Sequence, residues 1–151
     1  CMSSELNARI KITRVMNAVA VGTTAQNSSE VDMAGYEGVL FVALFGTITD
    51  GTPNIKAQQD TVTGMAGAAD LAGTAVAAAA TDDNKAAVLD IKRPVERFVR
   101  AVVDRTLGAP VTGCVIDGVI AIQYGAGAHP TAHATSVLAA EAHASPAEGT
   151  A

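Results

Sequence analysis

The chain has 151 residues, 49% of them hydrophobic and 17% charged, which fits one globular domain and excludes a disordered polymer. Its formal net charge is −5 and it has no long basic run, which argues against phosphate-driven binding of nucleic acid. Aromatic residues are only 3% and much of the apolar count is Ala, so the core is expected to be thin and to need burial against copies of itself or a larger partner.

Residues 3–9 carry a Ser cap and helix formers, enough for one short helical turn at most. From Ile10 to Val21 the sequence alternates imperfectly and is rich in β-branched residues, which predicts a strand. GTTAQNSS (22–29) reads as a loop, EVDM (30–33) as a short strand and AGYEG as a turn. The clearest strand core is GVLFVALFG (38–46), with Val39, Phe41, Ala43 and Phe45 on one face and Leu40, Val42 and Leu44 on the other. Both faces are apolar, so this strand is either central in a sandwich or half-covered by a neighbouring subunit.

TDGTPN (49–54) is turn chemistry, and IKAQQ (55–59) reads as the return strand, with Lys56 and Gln58 sharing a face. A Gly- and Ala-rich loop (60–73) follows, of a kind that often faces a partner. TAVAAAA (74–80) fits strand or helix. TDDNK (81–85) is a turn, and AAVLDI (86–91) places Ala87, Leu89 and Ile91 together. RPVERFVRAVVDR (93–105) has helical features in Pro94 and the Glu96–Arg100 spacing, but its valines favour a strand with Val99, Ala101 and Val103 opposite Arg100 and Asp104. LGAPVTG (107–113) turns the chain. CVIDGVIAIQYG (114–125) is the last strong strand, expected to group Ile116, Ile120, Ile122 and Tyr124 against Asp117 and Gln123.

From Ala126 the chain becomes small, polar and Pro-punctuated. Alone, such a segment is expected to be disordered, and holding it in place calls for a partner such as a neighbouring chain. The division is therefore a β domain over 1–125, with a short N-terminal segment, and an extended C-terminal arm over 126–151. Several short strands with Gly/Pro turns point to an all-β fold, an antiparallel β-sandwich or jelly roll.

Neither cysteine sits in a usable spacing: Cys114 reads as a small buried hydrophobe and Cys1 as a terminal residue. With no basic stretch leading into an apolar one and no long apolar span, the chain reads as soluble, made in the cytoplasm and without a membrane partner. There is no GxSxG elbow and no HExxH motif. His129 and His133 are four apart, but Pro130 opposes the helix that would bring them together as metal ligands. TDGTPN and TDDNK lack the rest of an EF-hand loop, and GAGAHP (125–130) opens no βαβ unit. The expectation is no enzyme, no cofactor and no metal.

Several strings look familiar together: RIKITRVMNAVAVGTT, VDMAGYEGVLFVALFGTITDG, ADLAGTAV, DDNKAAVLDIKRPVERFVRAVVDR and the terminal SPAEGTA. Spanning nearly the whole chain, they resemble the head decoration, or cement, proteins of tailed bacteriophages. The resemblance implies a virion protein on the outer surface of the capsid, bridging subunits of the major capsid protein and stiffening the shell. It also implies a homo-oligomer, dimer or trimer, with no nucleic-acid partner. An acidic surface suits the outside of a DNA-filled shell. The residues expected to make capsid or subunit contacts are Met65 and Leu71 in the 60–73 loop, and His129, Pro130, His133, Val137, Leu138 and Pro146 in the arm. The N-terminal segment joins them, with Arg97, Arg100 and Arg105 as candidate ion-pair partners, although a mixed solvated face with Lys92, Arg93, Glu96 and Asp104 explains the arginines as well. The competing readings are another virion position, such as a head–tail connector or tail component, and a β-sandwich that binds glycans.

Overall fold

The structure, a computed structural model, describes residues 5–151; Cys1 and the serines expected to cap the first turn lie outside the described residues. A single 3-10 turn at Leu6–Ala8 precedes the strands, and Glu5 at its start makes no side-chain cap bond. The strands are β1 (Lys11–Met16), β2 (Val19–Gly22), β3 (Gln26–Asn27), β4 (Val31–Asp32), β5 (Gly38–Ile48), β6 (Asn54–Asp60), β7 (Ala69–Asp70), β8 (Val76–Ala77), β9 (Ala86–Lys92), β10 (Phe98–Asp104) and β11 (Cys114–Tyr124). They form two antiparallel sheets. The first runs β1-β11-β5-β9, with β2 also on β11; the second runs β3-β10-β6-β7, with β4 on β10 and β8 on β6. This is the all-β sandwich expected from the sequence.

The core lies between the sheets, and strand alternation decides which side chains reach it. Val39, Phe41, Ala43 and Phe45 of β5 are inward and nearly solvent-free, as are Leu89 and Ile91 of β9. Facing them, β6 supplies Ile55 and Ala57, and β10 supplies Val99, Ala101 and Val103. The expected faces of β5, β9 and β10 are therefore the observed ones, and residues 98–104 are strand. Of 74–80, only Val76–Ala77 is strand, paired with Asn54 and Ile55.

Four local expectations are corrected. The 10–21 stretch is two strands, because Val15 and Met16 are both buried and the register with β11 shifts between Arg14 and Met16. Two consecutive inward residues break the alternation, as at a bulge. Within the expected 22–29 loop, Gln26 and Asn27 pair with Val103 and Val102. β6 does not return beside β5; it crosses to the second sheet and pairs with β10 along its length. In β11 the inward residues are Ile116, then Val119, Ala121 and Gln123, while Ile120, Ile122 and Tyr124 turn outward. The physical cause is a pair of register shifts around Asp117 and Gly118, where Gly118 takes a φ of 149° that suits a residue without a Cβ. One extra residue flips every side chain beyond it.

That flip buries Gln123, which is 1% exposed and donates from Nε2 to the Asp32 carbonyl at 2.8 Å. It also turns the Tyr124 ring over Gly38, where a Cβ would sit 2.3 Å from the phenol. The Tyr124 hydroxyl reaches across to donate to Asp90 of β9 at 2.6 Å. Burial, followed by this bond, pushes the Tyr124 hydroxyl up to about 12.

Candidate functional site

Three regions carry the residues expected to make contacts: the 60–73 loop, the arginines of the second sheet and the C-terminal arm. Asp60 anchors the loop by accepting from the backbone N–H groups of Val62 (3.2 Å) and Gly67 (2.7 Å). Glu30 anchors it again through the Thr63 hydroxyl and the Gly64 N–H. Within it, Ala69–Asp70 pairs with β6. Met65 is 5% exposed, and Leu71 packs partly buried against the core. The loop is thus a tethered flap that turns Met65 and Leu71 toward the core and leaves Val62 exposed. In the single chain Met65 and Leu71, both expected as contact residues, present little outward surface.

The three arginines have three different settings. Arg97 is exposed and grips Asp32 with two bonds of 2.8 Å, tying β4 to β10, while its guanidinium lies 5.3 Å from the Phe98 ring centre. Arg100 is half-buried and donates to Gln58 at 2.9 Å. Arg105 is buried and spends its donors on main-chain carbonyls: Thr24 at 2.9 Å, Ala20 at 2.8 Å and Cys114 at 2.7 Å. In the single chain the Arg105 guanidinium, expected as an ion-pair partner, is spent on its own backbone and presents little outward surface. Sequence reasoning missed this role because arginine is rarely buried.

The Arg97 hydrogen bond, with help from the Ala34 N–H, holds the Asp32 carboxyl down to about 2. A carboxyl depressed in the folded state stabilises the protein above its unfolded value near 3.9, and that contribution is lost as pH falls toward 2. Both side chains are about half exposed, so solvent screening limits the effect to less than about 1 kcal/mol. Urea midpoints measured between about pH 6 and 2 should fall less steeply below pH 4 in Asp32→Asn than in the wild type.

The arm lies along the free side of β1. The Thr131 N–H donates to the Ala8 carbonyl (2.8 Å), the Ala134 N–H to the Ile12 carbonyl (3.1 Å), and the Thr131 hydroxyl to the Ile10 carbonyl. In return, the Ile12 N–H donates to His133 Nδ1 and the Arg14 N–H to Ser136 Oγ, both at 2.9 Å. His129 is half-buried, with Nδ1 3.4 Å from the Ala8 carbonyl. Pro130 is exposed, Val137 half-buried, and everything from Leu138 through Pro146 to the end is exposed. The segment expected to need a neighbouring chain is therefore held, over 131–136, by this chain's own edge strand.

Sequence reasoning did not anticipate the outward face of the first sheet. Aligned across the strands are Arg14, Ile120, Val42 and Val88 in one row, and Ile12, Ile122, Leu40 and Asp90 in the next. Leu44 is 38% exposed and Val88 54%. The result is an apolar plateau rimmed by Arg14, Asp90 and Asp117, with a groove of about 350 Å³ lined by Leu44, Ile120 and Val137 of the arm. The apolar second face of β5 was one sequence signal for it. Among the described residues, no three His, Cys, Asp or Glu side chains are grouped to hold a metal ion, and no helix is long and apolar enough to cross a membrane.

No protein-family model matches the chain, and no curated protein sequence does. Among solved structures, the chain is similar to one described under the words "Bacillus endospore appendages form a novel family of disulfide-linked pili". The identity is 16%, with 82% of this chain and 96% of that chain covered and a TM-score of 0.40. A likeness at that level carries no argument about what this chain does.

Proposed function

We propose that this chain is a structural virion protein, a decoration protein that binds the outer surface of a tailed-phage head and bridges subunits of the major capsid protein. The observation that carries the reading is the apolar plateau of the first sheet, an outward face with Leu40, Val42, Leu44, Val88, Ile120 and Ile122 on one surface. Contiguous apolar surface of this kind marks a place where another macromolecule sits. The strings that resemble decoration proteins span the same strands, and an acidic chain of net charge −5 suits the outside of a shell filled with DNA. Contacts that are weak per copy become strong when repeated over a closed lattice.

The plateau reading is tested by cosedimenting the purified chain with phage shells that lack it. Leu44→Asp and Val88→Asp place a charge on side chains already in contact with solvent, so the fold should survive and circular dichroism should be unchanged. Each is expected to weaken shell binding by at least about tenfold, equivalent to ~1.4 kcal/mol. Wild-type occupancy by both variants would sink this assignment of the contact face.

A further inference from the structure

We infer that the C-terminal arm is exchangeable, so that residues 129–151 of one copy dock on the β1 edge of a second copy in place of that copy's own arm. The inference stands apart from the capsid reading, since it concerns only how copies of this chain join. β1 pairs with β11 on one side only. Its other side presents the Ile12 N–H and C=O and the Arg14 N–H, and all three are met by the arm. An unpaired strand edge is a template for another chain, and the arm already supplies the matching groups.

The domain leaves the arm free to exchange. Every residue of the hydrophobic core lies between Val15 and Ala121, so the arm can leave without opening the core. The last bond holding the domain side of the joint is the Gly127 N–H to the Gly35 carbonyl, which places the hinge at 128–130. The same contacts form in both arrangements, so local concentration decides between them, as in domain swapping.

The test uses the full-length chain with Cys1→Ser, which leaves only the buried Cys114. Arg14→Cys and Ser136→Cys are introduced separately, the two proteins are mixed at high concentration and oxidised, and disulfides are mapped by peptide mass. Exchange predicts a covalent heterodimer joined through positions 14 and 136. In parallel, light scattering should show wild-type oligomers that grow with concentration and are lost on deleting 129–151. The inference is overturned if no 14–136 link forms between chains while a chain carrying both cysteines closes the same link internally. Wild-type protein that stays monomeric at every concentration would overturn it equally.

Discussion

Replacing Arg105 with Leu is expected to destabilise the protein by about 2–4 kcal/mol, a large share of the ~5–15 kcal/mol that holds a typical domain together. The side chain is 3% exposed, and its guanidinium ties the β2–β11 ladder, at the register shift next to the Cys114–Gly22 pair, to the segment that leads into β3. Nη1 bridges Ala20 of β2 and Cys114 of β11, while Nε reaches Thr24 on the approach to β3. Leucine fills part of the volume but takes the donor from the buried Cys114 carbonyl, at about 1–3 kcal/mol for a group that water cannot reach, and from the more accessible carbonyls of Ala20 and Thr24. Arg105→Lys should recover little, because an ammonium is a point charge and cannot span the planar fork. Urea unfolding with an unchanged m-value would measure the loss. A cost below about 1 kcal/mol for Arg105→Leu would show that water replaces the guanidinium and that its role is slight.

Phe41→Ala should cost about 3–5 kcal/mol. Phe41 has no solvent exposure and sits in β5, the strand flanked by β11 and β9, opposite Ala121 and Leu89. The cost of such a truncation depends on whether neighbours can close the void. Here Ala43, Ala57, Ala101 and Ala121 are all fully buried core residues, and short side chains cannot swing inward to fill it. The lean composition that made the core look thin therefore makes its one fully buried aromatic harder to replace. Phe41→Leu keeps most of the volume and should cost less than about 1.5 kcal/mol. If the two substitutions proved equally costly in thermal and urea unfolding, cavity formation would not be the cause.

The parts of the fold legible in the sequence are those where period-two alternation runs unbroken. Val39, Phe41, Ala43 and Phe45 point one way, as do Ala87, Leu89 and Ile91, and Val99, Ala101 and Val103, because nothing interrupts those strands. β11 misled the same reasoning after Asp117: the residues beyond it obey alternation, but their parity is reset by a bulge at Asp-Gly that apolar pattern alone does not reveal. Two-residue strands such as Gln26–Asn27 exist only because a longer partner templates them. The arm was illegible for another reason. Its attachment relies on the hydroxyl and imidazole groups of Thr131, Ser136 and His133 meeting a strand edge, and such matching leaves no periodic trace. The apolar plateau was half visible in Leu40, Val42 and Leu44. Its other half, Ile120 and Ile122, was assigned to the same face as Ile116, which in fact points into the core.

The proposed role turns on where this chain sits in a particle, and a reconstruction of the virion at side-chain resolution tests that most directly. The account predicts copies in fixed ratio to the capsid subunits across the outer surface, with Leu44, Val88 and Ile120 of the first sheet against the shell. A handful of copies at a single vertex, or density confined to the tail or the interior, would contradict it.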